Sequence, residues 1–194
     1  PKLDTRQYGA NANDSYWLSN PRNLLTGYSP LIGKEQVEQS IRTRHTFDQA
    51  ERRLMGEDGF GDPGFNIDNI RAMHYQADNH AAQLVIADVI TICTEVDDWS
   101  VYSQQPEVVA QACGVLGDWD VRHEVASVGG HIFFEMWRDL YYREDLWSVP
   151  FDPALPVSTP HTLNQSSEGV EVVRQALANG VRRLVDAGIA KRQT

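Results

Sequence analysis

The chain has 194 residues, of which 41% are hydrophobic and 23% are charged, and its formal net charge is -10. This length and composition suffice for one domain with a sizeable core, or for a large piece of a bigger protein, and they argue against general disorder. The acidic balance argues against a nucleic-acid partner or an anionic membrane surface, because both need clustered Lys and Arg. No apolar run reaches the roughly eighteen residues of a membrane span, so we expect no membrane insertion.

Residues 1–33 are predicted to form an irregular segment, because they are rich in Asn, Pro, Gly and Ser and show little periodicity. A strand-like patch around Tyr8 predicts a short extended piece there. The first residues, Pro1–Asp4, do not have the charged-then-apolar pattern of a signal peptide. Their composition therefore indicates a cytosolic protein or an already mature segment.

Residues 34–194 are predicted to be a helical segment of the same domain, because apolar residues recur at helical spacings. The predicted helical zones are Lys34 to Met55, Asn66 to Asp98, Val108 to Leu116 after Pro106, Val128 to Tyr142, and Val170 to Val185. Gly56-Glu57-Asp58-Gly59 is the predicted end of the first zone. The expected fold class is mainly α with a loop- and short-strand-containing N-terminal segment.

The run Gly59-Phe60-Gly61-Asp62-Pro63-Gly64 matches the letters of a dinucleotide-binding fingerprint. That fingerprint must follow a strand and open a helix, whereas this run follows a predicted helix and contains Pro63. We therefore interpret it as an inter-helix loop. The acidic and amide residues around it do not reproduce the positions of a calcium loop, and the histidines show no metal-ligand spacing. We expect no metal and no cofactor.

The most distinctive stretch is Asn11-Ala12-Asn13-Asp14-Ser15, which places amide and carboxylate side chains between apolar flanks. One interpretation is a functional site. The other is a turn, since Asn, Asp and Ser side chains hydrogen-bond their own backbone. The residue types alone favour the turn, and the neighbouring sequence is what makes a site the stronger interpretation.

This stretch and its surroundings resemble the β-chain interior of the penicillin acylase family, and within it the acyl-homoserine lactone and aculeacin-type acylases. The segments that carry the resemblance are Tyr8–Pro21, Leu25–Pro30, Ser40–Arg44, Gly117–Asp120, Pro150–Pro153 and Ala187–Ile189. The first segment is specific and the later ones are supportive. The resemblance implies an N-terminal-nucleophile amidohydrolase with an αββα core, of which this chain is an internal fragment.

The nucleophile of that family is the new N-terminal Ser of the β chain, whose own α-amine serves as the base. Because this sequence begins with Pro1, the resemblance implies that the nucleophile lies outside it and that the isolated chain is inactive. The implied substrate is an N-acylated small molecule such as an acyl-homoserine lactone, a lipopeptide or a β-lactam. The implied partners are the remaining α and β segments of the same acylase, in a periplasmic or secreted protein.

The resemblance also assigns site residues. The family's Asn-x-Asn pattern falls on Asn11-Ala12-Asn13, and its second Asn, Asn13, donates a side-chain N–H to the oxyanion. The family places an Arg near the catalytic residues, and the match is open between two positions. Motif position favours Arg42, whereas the helical track puts Arg44 on the apolar face, where a guanidinium needs a reason. Trp17 is a candidate for the acyl-group surroundings, with core packing as its alternative.

Cys93 and Cys113 each fall on a predicted helix and lack the paired spacing of a zinc site. If the protein is exported as the resemblance implies, they meet an oxidising compartment and are candidates for one disulfide. The sequence leaves the bridge open, because it does not give the distance between the two helices.

A second class of function stays open from the sequence: a helical binding or assembly module that is related to the acylase but has no chemistry. A third is an unrelated helical domain with a chance turn motif. The first two classes differ in one feature, which is upstream coding sequence with a Gly-Ser or Gly-Cys autocleavage junction.

Overall fold

The computed structural model describes residues 8–189, so the predictions made for Pro1–Asp4 lie outside the described residues. The mainly helical class is confirmed in this part of the chain. The elements in chain order are α1 (Ile41–Met55), α2 (Ile67–Tyr75), α3 (His80–Thr94), a 3-10 turn (Trp99–Val101), α4 (Pro106–Asp118), α5 (Gly130–Leu140), β1 (Trp147–Val149), β2 (His161–Leu163) and α6 (Ser167–Asp186). Strands β1 and β2 form a two-stranded sheet. Between residues 8 and 189, none of the helices combines the length and the apolar character needed to cross a membrane.

The first two predicted helical zones have different limits in the structure. Helix α1 begins at Ile41, not near Lys34, because the Ser40 side chain accepts a hydrogen bond from the Thr43 N–H and caps the helix. The zone from Asn66 to Asp98 is two helices. Ala77, with φ 53°, interrupts it, and the Asn79 side chain then caps α3.

The predicted short strand around Tyr8 is wrong for the described residues, since the structure has no strand between residues 8 and 40. Two single backbone bonds, Ala10 N to Ser19 O and Leu25 N to Trp17 O, both 2.9 Å, replace a continuous ladder. The side-chain Nδ2 of Asn20 donates a hydrogen bond to the Tyr8 carbonyl oxygen at 2.8 Å. In a strand, a backbone N–H of the neighbouring strand would have donated to this oxygen.

The contacts group the chain into two compact units. Unit 1 comprises the residues up to Gln76 together with Val149–Pro160, and unit 2 comprises Ala77–Ser148 and the residues from His161 onward. The division predicted between 1–33 and 34–194 rests on periodicity and stays a prediction.

Unit 1 has a small core at Trp17, Leu18 and Phe47, all buried. The partly buried apolar residues around these three are Tyr8, Ala10, Leu24, Tyr28, Val37, Phe151 and Val157. The indole of Trp17 contacts the ring of Phe151 edge-on, with the ring centroids 6.4 Å apart. The segment Val149–Pro160, called the later segment below, therefore packs on the core of unit 1.

The glycine-rich run after α1 is organised by Arg53. This arginine is fully buried, pairs with Asp58 at 2.8 Å, and donates to the carbonyl oxygens of Gly61, at 2.7 Å, and Asp62. A planar guanidinium has donors in several directions and can hold a loop of this kind by its carbonyl groups. The run is thus a loop whose carbonyl groups accept hydrogen bonds from an arginine of the preceding helix.

Unit 2 is a helical body in which α5 packs most extensively on α6. Its fully or nearly fully buried residues include Ala82, Val85, Val89, Val109, Leu116, Phe133, Met136, Leu140, Leu163 and Leu177. A Cβ at Gly180 of α6 would lie 2.8 Å from the Met136 backbone nitrogen of α5, so glycine permits this close approach. Arg183 then pairs with Glu135 at 2.7 Å and with Asp139 at 3.1 Å across the same two helices.

Cys93 and Cys113 form a disulfide between α3 and α4 of unit 2. Their Sγ atoms are 2.11 Å apart and their Cα atoms 5.9 Å apart. The bridge closes a loop with a sequence separation of 20 residues, which includes the 3-10 turn. A cross-link over such a loop restricts the unfolded chain and so favours the folded state.

We predict that replacing both cysteines, in Cys93→Ala/Cys113→Ala, lowers the free energy of unfolding by about 3 kcal/mol, the loss expected for a loop of this size. Urea denaturation followed by circular dichroism measures it. Wild-type protein treated with a reductant is the control and should show a similar loss. A double variant as stable as the oxidised wild type would contradict the prediction.

Candidate functional site

The string Asn11 to Asp14 forms a turn held by the Asn11 side chain. Its Oδ1 accepts from the Asn13 backbone N–H at 2.9 Å, and its Nδ2 donates to the Asp14 carbonyl oxygen at 2.9 Å. Asn13 has φ 69°, in the left-handed region that Asn tolerates better than most residues. The turn interpretation is thus right for Asn11, and the turn leaves the Asn13 side chain exposed.

Arg42, in the first turn of α1, orients the carboxamide of Asn13. Its Nη2 donates to Asn13 Oδ1 at 3.0 Å and also donates to the Ala12 carbonyl oxygen. Because a guanidinium has no acceptor, the amide atom that faces it must be the oxygen. The Asn13 Nδ2 group therefore points away from Arg42, with its two N–H donors not used by that contact.

Asp14 attaches the turn to the beginning of α1. Its Oδ2 accepts from the Ser40 backbone N–H at 3.0 Å, from Ser40 Oγ at 2.6 Å and from Thr43 Oγ1. Burial acts to raise the pKa of this carboxyl group. The hydrogen bonds from Ser40 and Thr43 outweigh burial and, with the charge of Arg42, hold the pKa of Asp14 below its usual value.

Ser15 anchors the end of the string. Its hydroxyl donates to the Lys34 carbonyl oxygen and lies 3.3 Å from the Tyr28 hydroxyl. A Cβ at Gly33 would lie 2.8 Å from Ser15 Oγ, so any larger residue at position 33 would displace the Ser15 hydroxyl. Every polar residue of the string thus has a defined contact in unit 1.

Of the two candidate arginines, the structure brings only Arg42 to Asn13. Arg44 is fully buried, and its Nε donates to the Val157 carbonyl oxygen at 2.9 Å. Burial lowers the pKa of Arg44, while the charges of Glu38 and Asp48 oppose that shift. Its contacts place it in the interior of unit 1, where it holds the later segment to α1.

Trp17 lies in the core of unit 1, with 0% of its surface exposed. A side chain without accessible surface has no area to offer a ligand, so the structure assigns Trp17 to packing. Its neighbour Tyr16 is 53% exposed and is the aromatic residue of this stretch that is open to a small molecule.

Sequence reasoning missed three residues that build this arrangement: Asp14, Ser40 and Thr43. One signal was available, because a Ser directly before a helical track is typical of an N-cap. The capping position fixes where α1 begins and therefore that Arg42 is in its first turn. That Asp14 would be the partner of this helix end depends on a contact 26 residues apart in the chain, which no local pattern encodes.

The whole chain, residues 1–194, matches the family model described as penicillin amidase, and the chain belongs to that family. Aculeacin-A acylase from Actinoplanes utahensis is 32% identical over 128 residues, which cover 66% of this chain and 16% of that protein. The acyl-homoserine lactone acylases PvdQ of Pseudomonas putida and Pseudomonas syringae pv. syringae are 27% and 28% identical over 192 residues. Those matches cover 98% and 97% of this chain. The chain spans 22% and 23% of the two Pseudomonas proteins.

We predict that Asp14 stabilises the fold in a pH-dependent manner. Because its folded-state pKa is lowered, its contribution is fully present above the unfolded pKa of about 3.9 and is lost as pH falls through the folded value. The excess stability of wild type over Asp14→Asn should therefore be constant above about pH 5 and shrink below about pH 4.

Urea denaturation at a series of pH values measures this difference. Asn66→Ala is the matched control, because it removes the cap of α2 without removing a titrating group, so its difference from wild type should not change with pH. A difference for Asp14→Asn that stays constant to the lowest pH would contradict the prediction.

Proposed function

We propose that the chain is part of a penicillin-acylase-type amidohydrolase that hydrolyses the amide bond of an N-acylated small molecule, such as an acyl-homoserine lactone, a lipopeptide or a β-lactam. The observation that carries the proposal is the carboxamide of Asn13, which is exposed and held with its N–H donors away from Arg42. Family membership supports acyl transfer as the class of chemistry.

In the proposed reaction the nucleophile is an N-terminal Ser supplied by another segment of the parent acylase. Its hydroxyl oxygen attacks the acyl carbon while its own α-amine takes the proton. The carbonyl oxygen becomes an oxyanion, which accepts a hydrogen bond from Asn13 Nδ2. Collapse of this intermediate breaks the C–N bond, the amine leaves with the proton, and water then hydrolyses the acyl ester.

Asn13 suits this role because it is an uncharged donor fixed before the reaction. Negative charge appears on the carbonyl oxygen only as the tetrahedral intermediate forms, and a dipole already aimed at that position needs no reorganisation. The left-handed backbone of Asn13 and the Arg42 contact on its oxygen both restrict the carboxamide. We assign the family's site arginine to Arg42 and give Arg44 a structural role.

The remaining parts of the proposal concern the parent protein. The αββα core would be completed by segments other than residues 8–189, and the expected partners are those segments. The disulfide between Cys93 and Cys113 supports an oxidising compartment, so we place the acylase in the periplasm or outside the cell. Tyr16 is the aromatic residue we propose at the border of the acyl-group surroundings, in place of the buried Trp17.

Replacing Asn13 by Ala in the complete acylase should lower kcat by about 10²–10³, the usual loss when one oxyanion donor is removed. The donor acts on charge that exists only in the transition state, so KM should change little. Steady-state release of the amine product measures both constants, and unfolding in urea shows whether the fold is kept.

Asn23→Ala is the matched control, because Asn23 is an exposed asparagine of the same irregular segment and its side chain makes no hydrogen bond among the described residues. We expect wild-type kcat for this variant. Wild-type turnover by Asn13→Ala would refute the role of Asn13 as the oxyanion donor.

The 194-residue chain alone should hydrolyse no amide, because we place the nucleophile on another segment. Incubation with acyl-homoserine lactones of several chain lengths, followed by detection of the released amine, tests this. Turnover that Asn13→Ala abolishes would show that the chain has its own nucleophile and would overturn this part of the proposal.

A further inference from the structure

We propose that Asp14 is a positioning residue, which fixes the oxyanion donor Asn13 against the first turn of α1 without itself touching the reacting atoms. The inference rests on the proposed function, because it gives Asp14 a role only if Asn13 has one. The family's Asn-x-Asn pattern gives Asp14 no role.

Asp14 is held by hydrogen bonds both to its side chain and to its backbone carbonyl oxygen. Its side chain accepts hydrogen bonds from Ser40 and Thr43, which flank Arg42 at the start of α1. Its carbonyl oxygen accepts from Asn11 Nδ2 at 2.9 Å, which closes the turn that contains Asn13. One residue therefore joins the turn to the helix and helps to hold the turn itself.

Arg42 completes a closed ring of contacts. The ring runs from Asn13 along the backbone to Asp14, across to Ser40 and Thr43, and back through Arg42 to the Asn13 carboxamide. Among the hydrogen bonds of residues 8–189, those of Asp14 and Arg42 are the ones that join the turn to α1.

The two attachments are not equivalent. The Arg42 side chain is long and exposed, and the rotamer entropy of such a side chain opposes a fixed geometry. Asp14 has a short side chain that meets three donors on a capped helix end, including a backbone N–H. Asp14 thus sets the separation between turn and helix, and Arg42 reaches the Asn13 carboxamide because that separation is fixed.

The charge of Asp14 is compatible with an oxyanion nearby. An unmatched carboxylate close to a developing negative charge would oppose it. Here the carboxylate faces three hydrogen-bond donors, the positive end of the α1 dipole and the charge of Arg42. Asp14 can therefore restrain the donor without cancelling the field that stabilises the oxyanion.

The first test is Asp14→Ala in the complete acylase. Loss of the attachment lets the turn move relative to α1, and misplacement of a catalytic group by about 1 Å costs about 100-fold in rate. We expect kcat to fall 10- to 100-fold, with KM close to the wild-type value. Asn66→Ala, which removes the side-chain cap of α2, is the control for a general loss of stability and should keep wild-type kcat.

A double variant separates positioning from other effects. If Asp14 acts through Asn13, then Asp14→Ala should lower kcat in the wild-type background but have no further effect in the Asn13→Ala background. Equal fold-losses in both backgrounds would overturn the inference. The residual activity of Asn13→Ala has to be measurable, which single-turnover detection of the amine product allows.

A third variant, Asp14→Asn, keeps an oxygen acceptor for Ser40 and Thr43 and should recover part of the kcat that Asp14→Ala loses. It also serves as the test if Asp14→Ala does not fold, since wild-type kcat in every folded Asp14 variant would overturn the inference. The two proposals fail separately. If Asn13→Ala lowers kcat by about 10²–10³ but Asp14→Ala has wild-type kcat, positioning by Asp14 is wrong and the proposed function stands. Absence of amide hydrolysis by the complete wild-type protein refutes the proposed function itself.

Discussion

The attachment of one carboxylate to the end of one helix determines how the candidate site is arranged. Asp14 supplies the oxygen on which the Ser40 N–H, the Ser40 hydroxyl and the Thr43 hydroxyl converge. The same Ser40 hydroxyl caps α1 and so defines where that helix starts. The position of Arg42, and through it the orientation of the Asn13 amide, follows from this helix end. The hydrogen bonds at the capped end of α1 therefore also position the residues of the candidate site.

Two arginines separated by one residue have different tasks because they face opposite directions on α1. Arg42 is exposed and contacts the Asn13 turn, while Arg44 is buried and contacts a carbonyl oxygen of the later segment. Side chains two positions apart on a helix do not share a face, so a single helix contributes both to the candidate site and to the core of unit 1. The family pattern alone does not distinguish these two arginines, and their surroundings do.

The sequence predicted what depends on local patterns and on family likeness. Helical periodicity located the helices, and the Asn-x-Asn pattern located the residue with the exposed carboxamide. It left open whether Trp17 is a core residue or a binding residue, because an aromatic residue beside a polar motif is compatible with both. It also did not predict the partner of Asp14 or the break at Ala77, since both depend on where distant segments meet or on a single unusual backbone conformation.

The unit that contains the candidate site is not continuous along the chain. Its core is closed by Phe151 and Val157, and the Arg44 to Val157 hydrogen bond joins residues 113 positions apart. Contacts between such distant positions form late, because the intervening chain has to be closed into a loop first. During synthesis on a ribosome, Asn13 therefore emerges more than a hundred residues before Phe151 and Val157, which complete the core of its unit. The core of this unit is therefore completed only after the segment with Phe151 and Val157 has been synthesised.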